Sequence, residues 1–461
     1  MMPKSMDLGK RFFGEKIFEK VVNYLKKDPE ANIYRAVEMV EKAPVAEQHK
    51  EYARDIKKSM ETNPAIRQYI HRILTELDEN VQNHFMVNFF VNASLVGLPR
   101  QMKTAEELGC DVPYTILIDP TSNCNLRCTG CWAGEYSKHD SLSFEEVDRI
   151  VTEAKDLGIY FIVMSGGEPF MWPHLEKLCR KHSDVAFMLY TNGTLIDEDT
   201  AKWMKEAGNI SPAISIEGDR ETTDLRRGDG VYDAIMESMD ILKNNGVAFG
   251  FSVTATSENC EKIFSDHFID LMIDKGAIYG WSFHYIPIGS EPDFTKMLSP
   301  TQRVKMAERV REIRDTKPIM VADFWNDGEL TGGCIAGGRR YFHINARGDV
   351  EPCAFVHFAA DTIKGKSLKE VLKNPFFLEY RKHHPFSENM LRPCPLIDRP
   401  ERMRSMVSET EVYPTHEGAD AILYGSNAEQ IDRIAETWKH TADEKWAEWN
   451  ELHPERETEK V

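Results

Sequence analysis

Three cysteines, Cys124, Cys128 and Cys131, in the run Cys-Asn-Leu-Arg-Cys-Thr-Gly-Cys, constrain this chain more than any other feature. They follow an apolar, strand-like stretch, Tyr114 to Asp119, so one loop just past a strand carries three thiols. A cubane [4Fe–4S] cluster takes one thiolate per iron, and a loop that offers three leaves one iron without a protein ligand. An open coordination position separates a catalytic metal site from a closed structural one. A small molecule with an amine and a carboxylate could chelate that iron. The competing reading is a zinc site, which needs four ligands and usually spaces its cysteines x2–x2 or x2 with a distant pair; His139 could be the fourth.

Downstream, apolar runs alternate with amphipathic ones. Ser143 to Leu157 reads as a helix, with Ser143 as N-cap and Glu146 closing a capping box. Tyr160 to Met164 is a short continuous apolar run, as expected for a strand covered on both faces. Similar runs occupy 185–190, 212–216, 247–254 and 277–288. Helical candidates lie at 197–207, 231–245, 261–275 and 300–316. Repeated strand–helix units imply right-handed parallel crossovers and an α/β fold of six strands.

A parallel barrel keeps its chemistry just past the strands. The second strand ends in Ser165-Gly-Gly-Glu-Pro169, where paired glycines admit close backbone approach and Glu168 offers a carboxylate to an ammonium group. The cysteine triplet, this Gly-Gly-Glu turn and the strand–helix alternation together resemble the radical S-adenosylmethionine (radical SAM) enzymes. The resemblance implies a partial (β/α)6 barrel, a [4Fe–4S] cluster on Cys124, Cys128 and Cys131, and S-adenosylmethionine on the open iron. It assigns the methionine amine to Gly166, Gly167 and Glu168. Further cofactor contacts are expected from Thr191 and Asn192 in the next turn and from Ser215 and Glu217, which share one face of the fourth strand. Arg226 or Arg227 could meet the methionine carboxylate, and Ser252 and Thr254 share a face of the fifth strand. The family often has an aromatic residue before the third cysteine. Here it is Gly130, and Trp132 could serve instead. Phe283-His-Tyr285 on the sixth strand could face substrate, with His284 or Tyr285 passing a proton or hydrogen.

A second set, Cys334, Cys353 and Cys394, follows the barrel. Arg340 to Pro352 reads as a hairpin turning at Asn345–Gly348. A cysteine, a hairpin, then Gly-x4-Cys resembles the SPASM/twitch extension and implies an auxiliary [4Fe–4S] cluster, with Cys394 as third ligand. Cys110, Asp398, His357 or an open site could complete it, while Cys179 and Cys260 look structural.

The expected organisation is a helical region over 1–108, a core barrel over 109–320, an auxiliary cluster domain over 321–400 and a charged helical tail over 401–461. In the first of these, 34–43 and 66–81 read as helices. The apolar run Phe85 to Pro99 suits either packing on the barrel or contact with a lipid-like substrate or membrane surface. Nine cysteines in spaced sets point to a reducing cytoplasm, and an exposed iron site to anaerobic conditions. A net charge of −18 argues against gripping nucleic acid. No run reaches the roughly 20 apolar residues of a membrane span. The expected activity is reductive cleavage of S-adenosylmethionine to a 5′-deoxyadenosyl radical that takes hydrogen from an unactivated C–H bond. The electron would come from a low-potential donor such as a flavodoxin or ferredoxin. The substrate stays open between a ribosomal peptide and a lipid or other small molecule, and the reading from a different class is a non-catalytic iron–sulfur or zinc scaffold.

Overall fold

The computed structural model describes residues 47–452 together with Tyr24, Asn32, Arg35 and Glu38. The helix expected over 34–43 therefore lies almost wholly outside the described residues. Before the barrel come α1 (Pro64–Glu76), α2 (Glu79–Met86), a wide helical stretch over Val87–Gly97, and α3 (Leu98–Leu108). The helix expected over 66–81 is two helices, because Asp78 turns the chain and caps the second by accepting from Asn80 N at 2.8 Å.

The barrel then runs β1 (Thr115–Ile118), α4 (Phe144–Leu157), β2 (Phe161–Met164), α5 (Leu175–Lys181), β3 (Ala186–Thr191), α6 (Glu198–Ala207) and β4 (Ile210–Ser215). It continues through α7 (Arg220–Arg227), α8 (Val231–Asn244), β5 (Gly250–Ala255), α9 (Asp266–Asp274), β6 (Tyr279–His284), α10 (Pro300–Thr316) and β7 (Met320–Asp323). The capping box of Ser143 and Glu146 starts α4 as expected. The helix expected over 261–275 is broken because Ser265 caps a fresh start at α9, accepting from Phe268 N at 3.2 Å.

The strands β1 to β7 pair in parallel, in chain order. The α/β architecture holds, but the sheet has a seventh parallel strand beyond the six expected, because residues 320–323 pair with β6. The hairpin, β8 (His343–Ile344) and β9 (Asp349–Glu351), does not stand apart either. β8 lies parallel to β1, so the cysteine-bearing extension continues the barrel sheet, which ends at β11 (Asp361–Thr362) beside β9; the short β10 (Phe358–Ala359) pairs apart from it, with Tyr413–Pro414.

Period-two alternation gives each strand two faces. Ile116, Ile162, Phe187 and Phe251 pack outward against the helices; Leu117, Val163, Met188 and Trp281 turn inward.

Residues 85–99 close the base of the barrel, at the ends where the strands begin. Buried Asn88 and Asn92 donate to Ser183 O and Asp184 O ahead of β3, at 3.1 and 3.0 Å. Gly97 meets Gly158 so closely that a Cβ on either would strike the other's carbonyl. Of the two readings of this run, packing on the barrel is the one seen for Ala93 and Val96, which are buried in the barrel's outer core, while Phe85, Met86, Val87, Phe89 and Leu95 stay partly accessible. Among the described residues no helix is long and apolar enough to cross a membrane.

The extension carries α11 (Pro375–His383), and the tail follows with α12 (Pro400–Glu409) and α13 (Gly425–Leu452). The last lies on α10 through Arg303 over the Trp438 ring at 4.0 Å and Arg311 over Trp449 at 3.4 Å.

Candidate active site

The three cysteines sit on the loop after β1, beside the turn after β2. Two backbone hydrogen bonds join the loops: Gly167 N donates to Thr121 O at 2.9 Å and Glu168 N to Asn123 O at 2.8 Å. The close approach explains the paired glycines. Gly166 adopts φ +104°, and a Cβ on Gly167 would overlap the Asn123 carbonyl. Gly167→Ala should therefore displace the cysteine loop and lower the iron bound after reconstitution, with little change in the circular dichroism of the barrel. Unchanged iron content would contradict this packing.

Glu168 is fully buried, and burial raises its pKa. Thr191 Oγ1 (2.7 Å) and Phe170 N (3.1 Å) donate to its Oε1, and Asn192 N (2.8 Å) to its Oε2. A carboxylate has about four acceptor positions, so one remains for an incoming ammonium. Thr191 and Asn192 thus hold Glu168 in place, and Asn192 also reaches the Cys124 sulfur at 3.9 Å.

Glu217, also buried, takes up both candidate arginines. Arg227 Nε lies at 3.0 Å and Nη2 at 2.6 Å from its Oε1, and Arg226 pairs with the same oxygen. Arg226 also donates to Thr129 O and Gly130 O at 3.3 and 3.4 Å, while Thr129 N donates back to Arg226 O at 2.9 Å. The end of α7 therefore braces the cysteine loop. Both guanidiniums, the candidates for the methionine carboxylate, are engaged with Glu217 in this structure. Ser215 and Ser252 share a hydrogen bond at 3.0 Å on the inner face.

Burial raises the pKa of Cys124 and Cys131, and the neighbouring thiols add to it. Such thiols ionise when a cation takes their charge. Among the described residues neither cysteine trio gathers its sulfurs within 4.8 Å. A single zinc ion, at about 2.3 Å from each sulfur, would draw them to roughly 3.8 Å apart. His139 is exposed, its backbone N on Ser137 Oγ.

Gly130 gains an aromatic neighbour from elsewhere. The Tyr285 ring covers it, with Cε2 2.8 Å from where a Cβ would stand. Trp132 points instead towards the hairpin, 5.8 Å from the His343 ring, 6.2 Å from Phe355 and 6.0 Å from His357. His284 is separated from Tyr285 by strand alternation. It stacks on Trp325 at 5.2 Å beside Asp323, and burial followed by the charge of Arg303 pushes its pKa well below the usual value. The structure moves it from the inner face, where Phe283 lies, to the outer side of β6.

Cys334, Cys353 and Cys394 form a second group. Burial first, with neighbouring charges including another thiol of the set, pushes each up to about 12. Tyr341 donates to Cys353 Sγ at 2.7 Å, and Tyr380 feels all three sulfurs. The candidate fourth ligands are engaged: Asp398 pairs with Arg303 at 2.7 Å, His357 shares a 2.6 Å contact with His416, and Cys110 lies by Arg381. Cys179 and Cys260 are buried in the barrel's outer core.

Sequence reasoning missed a buried ionic group between the two cysteine sets. His343 Nδ1 lies 2.6 Å from Glu351 Oε2. Its Nε2 lies 2.8 Å from Asp119 Oδ2, a charge contact short of hydrogen-bond alignment. Tyr136 donates to Glu351 Oε1 at 2.8 Å. Burial opposes a charge on His343, but Asp119 and then Glu351 outweigh it and raise the pKa to about 10. No local motif announces this trio, because β8 comes to lie beside β1 only in the folded sheet.

The profile of the Radical SAM superfamily matches residues 118–263, and that of the SPASM iron–sulfur cluster-binding domain matches 334–395. An AdoMet-dependent heme synthase of Methanosarcina barkeri is 24% identical over 293 residues, covering 57% of this chain and 83% of that protein. Mycofactocin maturase MftC of Mycolicibacterium smegmatis is 27% identical over 283 residues, covering 57% and 69%. The crystal structure of Streptococcus suis SuiB bound to its precursor peptide SuiA superimposes with a TM-score of 0.55 at 17% identity, over 75% of this chain and 84% of that one.

Proposed function

As this chain is a radical SAM enzyme with a SPASM-type iron–sulfur extension, we propose that Cys124, Cys128 and Cys131 hold its catalytic [4Fe–4S] cluster and that Cys334, Cys353 and Cys394 hold an auxiliary one. The cluster and S-adenosylmethionine supply, when bound, reductive cleavage to a 5′-deoxyadenosyl radical that removes hydrogen from an unactivated C–H bond. What supports the assignment of residues is the junction of the cysteine loop with Glu168. Glu168 keeps one acceptor position beside the thiols, Arg226 and Glu217 hold the loop, and Tyr285 covers Gly130, where adenine could pack. The buried surroundings exclude water from the reacting atoms.

The proposed core spans 109–323, so that it includes β7, and the extension runs to about 400. A flavodoxin or ferredoxin is the proposed electron donor, and the enzyme is to be handled without oxygen. Of the relatives, one name says heme synthase and SuiB holds a precursor peptide. The proposed substrate here is a small molecule, on the character of the barrel interior argued below.

The test is anaerobic reconstitution with iron and sulfide, reduction by dithionite and addition of S-adenosylmethionine. 5′-Deoxyadenosine should form in the wild type and fall to background in Glu168→Ala with iron content retained. No nucleoside from iron-loaded wild type would overturn the reading.

A further inference from the structure

We infer that the barrel interior takes the uncharged part of the substrate, a flat aromatic or conjugated ring bearing a hydrogen-bond-accepting oxygen, and that the Tyr190 hydroxyl is its donor. The inference deepens the radical SAM reading and rests on it.

Small barrels are normally filled by their own inward side chains. Here Phe161, Tyr190, Tyr279, Trp281, Phe283 and Phe324 lie inward, yet each keeps part of its surface accessible. Large rings that stay partly accessible inside a ring of strands line a space. Its wall is aromatic from Phe283 near the mouth to Phe161 at the base, where Phe89 closes it at 5.1 Å. Trp281 and Phe283 lie nearly parallel, 13° apart, and present a flat wall that favours an offset-stacked ring.

Charge is confined to the mouth. Asp119, Glu168, Glu217, His343 and Glu351 sit at or just beyond the strand ends on that side, or on the hairpin, and are already engaged with one another, with arginines or with donors. Below them the inward positions of β2 to β6 are apolar, aromatic or hydroxyl-bearing. A charged group lowered into this space would lose hydration without compensation. A peptide's main chain would leave most of its polar groups unpaired.

Tyr190 supplies the second observation. Its ring is held edge-on by Phe283 at 5.4 Å and Trp281 at 6.4 Å, and its hydroxyl has no partner among the described residues. Burial raises the phenol well above its ordinary value, so it stays a donor. Tyr279, by contrast, is paired with Ser211 Oγ at 3.0 Å. The Tyr190 hydroxyl is open to the space rather than sealed off, so a ligand oxygen that arrives there takes the place of water on a donor already oriented by its aromatic surround.

Benzophenone, a redox-inert aromatic ketone that photolabels its surroundings, is the probe. Anaerobically reconstituted full-length enzyme should bind it with quenching of tryptophan fluorescence, and irradiation should place adducts on the peptides carrying Met188–Tyr190 and Trp281–Phe283. Tyr190→Phe should weaken benzophenone about fivefold, the usual scale for one neutral hydrogen bond. It should leave diphenylmethane, which lacks the carbonyl, unchanged. Trp281→Ala should weaken both. Adducts confined to the surface, equal loss for both probes in Tyr190→Phe, or tighter binding of an unstructured peptide carrying benzoylphenylalanine would overturn the inference. Formation of 5′-deoxyadenosine by the same preparation is measured in parallel. Cleavage without interior labelling rejects this inference alone, whereas labelling without cleavage rejects the catalytic reading.

Discussion

Cys128→Ala is expected to abolish 5′-deoxyadenosine formation and to leave about four of roughly eight iron atoms per chain. Cys128 lies at the centre of the triplet, and two cysteines cannot replace it on three irons. The nearest spare sulfurs are no help. Cys179 and Cys260 are buried in the core outside the barrel, and Cys110 lies by Arg381 beside the extension. Cys353→Ala is the reciprocal experiment. It should remove about four irons and leave the catalytic set intact, because Cys353, Cys334 and Cys394 belong to the extension, beside Tyr341 and Tyr380. Iron and sulfide analysis with nucleoside chromatography reads both variants. Equal iron in wild type and Cys353→Ala would remove the auxiliary site, and nucleoside from Cys128→Ala would remove the catalytic one.

His343→Gln is expected to cost about 3–5 kcal/mol of stability, because it leaves the buried carboxylates of Asp119 and Glu351 facing each other uncompensated. The loss should exceed that of any surface ion pair, such as Lys202 with Asp199, where about 0–1 kcal/mol is the norm. The pH dependence has a definite sign. The folded pKa of His343 is raised to about 10 from an unfolded value near 6.5, so its contribution is complete below about pH 6.5 and fades as pH climbs through about 10. Urea midpoints across that range should fall for the wild type and lack this component in His343→Gln. Parallel curves for the two proteins would show that His343 is neutral in the fold. Asp119→Asn combined with His343→Gln should recover part of the loss, since it removes one of the stranded charges.

The trio also ties the extension to the barrel. Asp119 follows β1, His343 lies on β8 and Glu351 on β9, so one imidazolium joins the hairpin to a barrel strand more than two hundred residues earlier in the chain. Trp132, next to Cys131, packs on the same imidazole. A change at His343 is therefore felt at both cysteine sets.

Much of the site could be read from local order. Residues 124–131 stand together because seven peptide bonds hold them there, and Ser143 caps α4 with a partner three residues away. The alternation of apolar runs and amphipathic helices announced parallel strands, since a buried strand must be apolar on both faces. Reading failed where partners are distant. Arg226 and Arg227 look like free charges in the chain, yet both close on Glu217 once α7 folds back over β4. His284 and Tyr285 are neighbours in sequence and opposed in space, as a two-residue period requires. Tyr285 covers Gly130 across 155 positions, a pairing that no local pattern announces.

The sequence by itself determined the cofactor chemistry, because ligand spacing within a loop and propensity within a helix depend on near neighbours. Only the tertiary structure decided how the barrel is closed at its base, which polar groups are already spent on one another, and that its interior is aromatic and uncharged. Those properties arise when strands far apart in the chain lie side by side, and the free energy of burial then selects which partners meet.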